Sequence, residues 1–193
     1  MKRIFIAIDI VNSEKLRALL ASFKDVLRDE RIRWVDPANM HLTLAFLGDK
    51  DEGEITKAGD IMASVSSGFE PFEIELNGTG VFRNIRQPRV IWLGLKAPDS
   101  FYRMQEMLCR QLEDEGLYRK EKKFKPHITL GRIKYIESRD RLSGILKAHS
   151  SVRLPPMEVS ELILYESILK PGGPKYHPLR RGPLEAWRSL PES

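Results

Sequence analysis

Two histidines, His41 and His127, head the strings HLTLAFLG and HITLGR, and in each string a threonine stands two places on. The histidines stand 86 residues apart. Residues two apart on a strand point to one face, so His41 and Thr43 project together, as do His127 and Thr129. Each unit thus offers an imidazole beside a hydroxyl. An imidazole titrates near pH 6.5, so of two facing imidazoles one can be neutral while the other is protonated. Hydroxyls can donate to non-bridging oxygens of a phosphate, and basic side chains can balance its charge. The pattern suits phosphodiester hydrolysis in which one imidazole takes a proton from water and the other gives one to the departing oxygen. Spacing alone leaves open which histidine does which. Two of only four histidines with threonine at that offset arise by chance in about one chain in 400 of this composition.

A metal site is the competing reading of paired histidines. Zinc takes three or four closely spaced ligands. Asp49 and Asp51 come after the first motif, but nothing comparable comes after the second. No metal and no cofactor is expected.

The elements that must hold these groups repeat with the same offset. Residues 2–10 form a buried strand, and Leu16, Leu19, Leu20, Phe23, Val26 and Leu27 mark a helix capped by Asn12 or Ser13. Residues 33–40 are a short extended piece with a turn at Asp36-Pro37, and HLTLAFLG is a strand ended by Gly48. Ile55, Ala58, Met62 and Val65 mark a second helix. Residues 72–82 form a strand bent at Asn77-Gly78. The order then restarts: strand 89–95, a helix from Pro98 stopped at Gly116, strand 127–133, a helix from Ser138 to Lys147, and one strand over 157–167. The tail KPGGPKYHPLRRGPL predicts loop with one edge strand.

Shifted by 86, Arg3-Ile4-Phe5-Ile6 meets Arg89-Val90-Ile91-Trp92, and strand 72–82 meets 158–168. The expectation is a bilobal α+β domain over residues 1–193. Its two pseudo-two-fold-related lobes, about 1–85 and 86–170, would be mainly antiparallel sheet with helices outside and an active-site cleft between them. Residues 171–193 would form a Pro/Gly-rich tail.

The chain has 193 residues, 41% hydrophobic and 31% charged, with net charge +5 and a single cysteine, Cys109. No apolar run is long enough to span a bilayer, and no signal peptide is read at the N-terminus. The lone cysteine excludes an intrachain disulfide and fits a cytoplasmic location. The positive balance favours anionic partners. Basic residues crowd 119–125, just before His127, and a second loop at Arg83, Arg86 and Arg89. Cys109 reads as packing and His149 as a solvated helix end; His177 sits in the tail.

The paired His-x-Thr motifs, within RWVDPANMHLTLAFLGD and FKPHITLGRI, resemble the two-histidine phosphoesterase superfamily. The wider strings look like its RNA 2′,3′-cyclic phosphodiesterase branch, formerly described as 2′-5′ RNA ligase. The resemblance implies metal-free hydrolysis of terminal 2′,3′-cyclic phosphate on RNA to a 2′-phosphate, with residual capacity for the reverse 2′-5′ joining. It implies His41 as proton donor, His127 as proton acceptor, and Thr43 and Thr129 as phosphate ligands. Phe46 and Arg132, each five residues after its histidine, match positions that contact nucleotide and phosphate, and Tyr176 could line the site. Strict alternation puts Phe46 and Arg132 on the face opposite the histidines. Gly131 could admit a bulge that re-aims Arg132; Phe46 has no such glycine and could be a core residue. The partners implied are RNA ends bearing a cyclic phosphate; no membrane and no protein partner is predicted, and a monomer is the default expectation. Two alternatives stand beside this: an esterase for small cyclic nucleotides or ADP-ribose cyclic phosphate, and a non-catalytic RNA end-binding module.

Overall fold

The computed structural model describes residues 1–119, 123–171 and 173–185. The strands are β1 (Lys2–Asp9), β2 (Arg31–Trp34), β3 (His41–Lys50), β4 (Phe72–Phe82), β5 (Val90–Lys96), β6 (Ile128–Tyr135), β7 (Met157–Val159), β8 (Glu161–Lys170) and β9 (Gly173–Pro183). The helices are α1 (Glu14–Val26), α2 (Glu52–Ser66), α3 (Asp99–Asp114) and α4 (Arg139–Ala148). Local chemistry sets their ends. Ser13 and Ser138 accept from the Leu16 and Arg141 amides. Asp51 and Glu54 form a reciprocal capping box. Gly116 ends α3 with φ +69°, a conformation that a side chain would disfavour. Among the described residues no helix is long and apolar enough to cross a membrane.

Two antiparallel sheets result, ordered β3-β1-β8-β9 and β2-β6-β5-β4-β7. Set against the sequence repeat, β1, β3 and β8 of the first sheet match β5, β6 and β4 of the second. The third strand of each repeat has therefore crossed into the other sheet: β4 from the first half, β8 from the second. The bilobal α+β architecture is as expected, but each sheet draws strands from both halves of the chain. The strand expected over 157–167 breaks at Ser160, where the chain passes from one sheet to the other. β8 is buried on both faces and so reads as a continuous apolar run.

Two further differences concern strand ends. β3 continues past Gly48, whose φ of +75° sits in a bulge that leaves Leu47 without a partner on β1. The tail is more regular than a loop: β9 pairs with β8 along its whole length. It carries Pro174, Pro178 and Pro183, which an edge strand tolerates because one side of its backbone is unpaired.

The main core lies between the sheets and their helices and includes fully buried Ile4, Ile6, Phe23, Leu42, Leu108, Ile128 and Leu130. A smaller buried cluster covers the other face of the first sheet: Phe5, Ala7, Ile163 and Tyr165, with Tyr176 packed on it. Alternation along β1 sends Ile4, Ile6 and Ile8 to the first cluster and Phe5 and Ala7 to the second.

Candidate active site

Both histidines enter at the start of homologous strands and meet the same local geometry. A 3₁₀ turn at Pro37–Asn39, capped by Asp36, delivers the chain into β3. His41 Nδ1 lies 2.8 Å from the Asn39 carbonyl oxygen, and His127 Nδ1 lies 2.8 Å from that of Lys125. A carbonyl can only accept, so each Nδ1 carries the proton and donates it. Each Nε2 has no hydrogen-bond partner among the described residues and is the nitrogen that can take up a proton.

Each imidazole also rests against an aromatic ring of its own sheet, Phe5 from the adjacent β1 and Phe82 from β4, one strand beyond β5. Phe5 is 4.9 Å from His41 and Phe82 is 4.5 Å from His127, centroid to centroid. Burial pushes both imidazoles below their ordinary pKa, the Arg132 charge pushes them further, and the carbonyl bonds oppose the shift. His127 also depresses His41, so the two rings sense one another between the lobes. The Asp9 carboxylate, opposite His41 in the β1–β3 register, raises His41 alone. Thr43 and Thr129 lie on the histidine face, and neither hydroxyl bonds to another described residue.

The residues beyond the threonines depart from strict alternation. Ala7 pairs with Thr43 and Ile6 with Ala45, so Leu44 has no partner on β1. In β6, Trp92 pairs with Thr129 and Ile91 with Gly131, so Leu130 has none on β5. Each strand thus bulges at the leucine three places after its histidine, and the bulge rotates the residues beyond it. Ala45 and Gly131 turn inward, and Phe46 and Arg132 turn out onto the histidine face. Strict alternation fails at both positions for this reason. Phe46 is 47% exposed, not a core residue, and the Arg3 guanidinium lies over its ring at 4.9 Å.

Both bulge carbonyls find donors outside the ladder. The Val35 amide donates to Leu130 O at 2.9 Å. Gln105 of α3, only 8% exposed, donates through Nε2 to Leu44 O at 3.2 Å. Gln105→Leu removes that donor and leaves the buried Leu44 carbonyl only the long, weak contact of the Cys109 thiol at 3.8 Å, which costs about 1–3 kcal/mol. Urea unfolding of the variant should show a loss of this size; a change within measurement error would mean that the Cys109 thiol satisfies Leu44 O by itself.

Tyr176 of β9 completes the wall, edge-on to His41 at 4.9 Å and to Phe5 at 5.1 Å. Burial raises its phenol pKa, against the pull of Arg132 and Arg33, so it stays a proton donor. Behind it the Tyr165 hydroxyl donates to Asp9 Oδ1 at 2.6 Å. Burial and that carboxylate raise the Tyr165 phenol well above its usual range.

The other candidates fall elsewhere. His149 caps α4 but is not simply solvated: it packs on Phe23 and lies 3.2 Å from Ser22 Oγ. His177 is exposed on β9. Cys109 is buried beside Gln105, as packing predicts. Residues 120–122 of the basic run lie outside the described residues. Among the described residues no three His, Cys, Asp or Glu side chains converge as a metal-holding group. Sequence reasoning missed Asp9, Gln105 and Arg33. Only Gln105 left a trace, as a polar residue inside the apolar stripe of α3.

A family model described as LigT like Phosphoesterase matches twice, over residues 8–92 and 93–176. The chain is 38% identical over 176 residues to a Methanothermobacter thermautotrophicus protein named RNA 2′,3′-cyclic phosphodiesterase, covering 90% of this chain and 94% of that one. A solved Thermus thermophilus structure superposes with TM-score 0.76 at 30% identity, covering 94% of this chain and 97% of that one. Escherichia coli LigT complexed with 3′-AMP superposes with TM-score 0.74 at 27% identity, covering 96% and 99%. The doubled histidine strands, their paired bulges and this two-fold match along the chain agree: the protein belongs to the LigT-like phosphoesterase family.

Proposed function

We propose that the protein hydrolyses terminal 2′,3′-cyclic phosphates on RNA to 2′-phosphates by two-histidine acid–base catalysis. The observation that carries the reading is the matched pair of imidazoles, each with Nδ1 held by a carbonyl two residues upstream and Nε2 left to react. Relatives named RNA 2′,3′-cyclic phosphodiesterase, and 3′-AMP bound by the E. coli relative, support the substrate class.

His127 Nε2 takes a proton from water as the water oxygen bonds to phosphorus. The P–O3′ bond breaks on the opposite side, and His41 Nε2 gives its proton to O3′. The phosphate stays on O2′, and the two histidines have exchanged protonation states. Asp9 supports the acid assignment, because it favours a proton on His41 and has no counterpart acting on His127. Burial lowers both imidazoles alike, so the Asp9 carboxylate is what separates them and leaves the base role to His127. Thr43 and Thr129 donate to the non-bridging oxygens, and Arg132 balances the charge that builds there. Phe46 and Tyr176 offer faces for the nucleoside.

None of these steps draws on a metal. Turnover of an oligonucleotide ending in 2′,3′-cyclic phosphate should therefore persist in excess EDTA and yield a 2′-phosphate. A 3′-phosphate product would overturn the assigned leaving oxygen, and complete loss in EDTA would overturn the metal-free scheme.

A further inference from the structure

Arg33 and Arg132 sit directly opposite one another on β2 and β6. Residues so paired share a face, and the neighbouring pair, Trp34 with Gly131, turns to the other side, where a side chain on Gly131 would strike the Trp34 ring. Both arginines are exposed, and neither has a carboxylate within salt-bridge distance among the described residues. Like charges directly opposite on adjacent strands repel, so the pair costs stability unless an anion occupies the space between the guanidiniums.

The two charges are not equivalent in position. Arg132 depresses both histidines, whereas Arg33 influences neither enough to be resolved. Both pull on the Tyr176 phenol. Arg33 also reaches across to the first sheet, where a side chain on Gly173 of β9 would lie 2.8 Å from its Nη2. Arg33 stands on the edge strand β2, outside β6, the strand that His127 leads into and that carries Arg132, so Arg132 lies between Arg33 and the histidines, with Tyr176 alongside.

We infer that Arg33, with Arg132, forms a second anion subsite that takes the phosphate attached to O5′ of the terminal nucleotide. The inference rests on the function proposed above. With the cyclic phosphate between the histidines and the nucleoside along Tyr176, the next anion on the strand is that phosphate. A guanidinium fork suits it whether it is a monoester or the diester linking the preceding nucleotide. The subsite makes the protein a reader of RNA ends in preference to free nucleosides that carry only the cyclic group.

Three substrates test this: a nucleoside 2′,3′-cyclic phosphate with a free 5′-hydroxyl, the same compound with a 5′-phosphate, and a dinucleotide ending in the cyclic phosphate. The native protein should favour the second and third over the first by about 10-fold in kcat/KM, mainly through KM. Their kcat/KM should also fall more steeply with salt, by about one unit of log–log slope. In Arg33→Ala the preference should collapse towards unity, and Arg33→Lys should keep part of it. The melting temperature of Arg33→Ala at low salt should hold or rise, because a repulsion is removed. A preference confined to the dinucleotide overturns the subsite, since phosphate is common to both favoured substrates. So does a preference that survives Arg33→Ala, or equal losses on all three substrates. No turnover of any of them would instead sink the proposed function itself.

Discussion

His41→Ala and His127→Ala each lower kcat/KM on cyclic-phosphate RNA by about 10³- to 10⁴-fold, the full worth of a positioned acid or base. Each change removes the Nε2 that the proposed scheme uses, on a ring held in place through Nδ1 by a carbonyl. The two act on one proton inventory, so the double variant should fall little below the worse single one. The limbs of the pH profile separate the roles. Native kcat/KM should be bell-shaped, falling at low pH as the base gains a proton and at high pH as the acid loses its own. His127→Ala should lose the acidic limb and His41→Ala the alkaline one; the reverse result would exchange the roles. Burial lowers both imidazoles, which centres the native bell below the imidazole's ordinary value of about 6.5. The same shift is a stability statement. A histidine with a depressed pKa in the folded state contributes stability that is present above its unfolded pKa and lost as pH falls through the folded one. Either alanine variant should therefore lose less stability than the native protein when urea unfolding is compared at pH 7 and pH 5. An equal loss would mean that neither imidazole is perturbed by folding.

Arg132→Gln should lower kcat/KM by about 10- to 100-fold, the worth of a charge-assisted phosphate contact. It should also move the profile. The guanidinium depresses both imidazoles, so its removal lets both rise, and the bell shifts to higher pH. Arg132→Lys separates charge from shape. The ammonium keeps the bell near its native position but cannot offer the two-pronged donor pattern, so the rate stays low. A glutamine variant whose profile does not move would place Arg132 too far from the histidines to act on them. An unchanged rate in the glutamine variant would remove Arg132 from phosphate binding altogether.

Much of the molecule was legible before any tertiary contact was known. The apolar stripes of α1 to α4, the cap at Ser13, the helix start at Ser138 and the stop at Gly116 are local chemistry, written within a few residues of where they act. The doubled His-x-Thr strings placed an imidazole and a hydroxyl on one face of each strand, because the strand period is two and needs no partner to hold. The stretch beyond each threonine was not legible. Whether Phe46 and Arg132 face the histidines depends on bulges at Leu44 and Leu130, and a bulge is a mismatch between two strands, not a property of one. In β3 it arises without a glycine, and the carbonyl it takes out of the ladder is met by Gln105, 61 residues away. The same holds for strand exchange: nothing at Ser160 announces that the chain leaves one sheet for the other. Arg33 against Arg132, Asp9 against His41 and Tyr176 beside them exist only through register and sheet order. The sequence by itself determined the two histidine–threonine pairs and the elements that carry them. The tertiary pairing alone decided which other side chains share their face, because registers and bulges are set by the partners a strand finds.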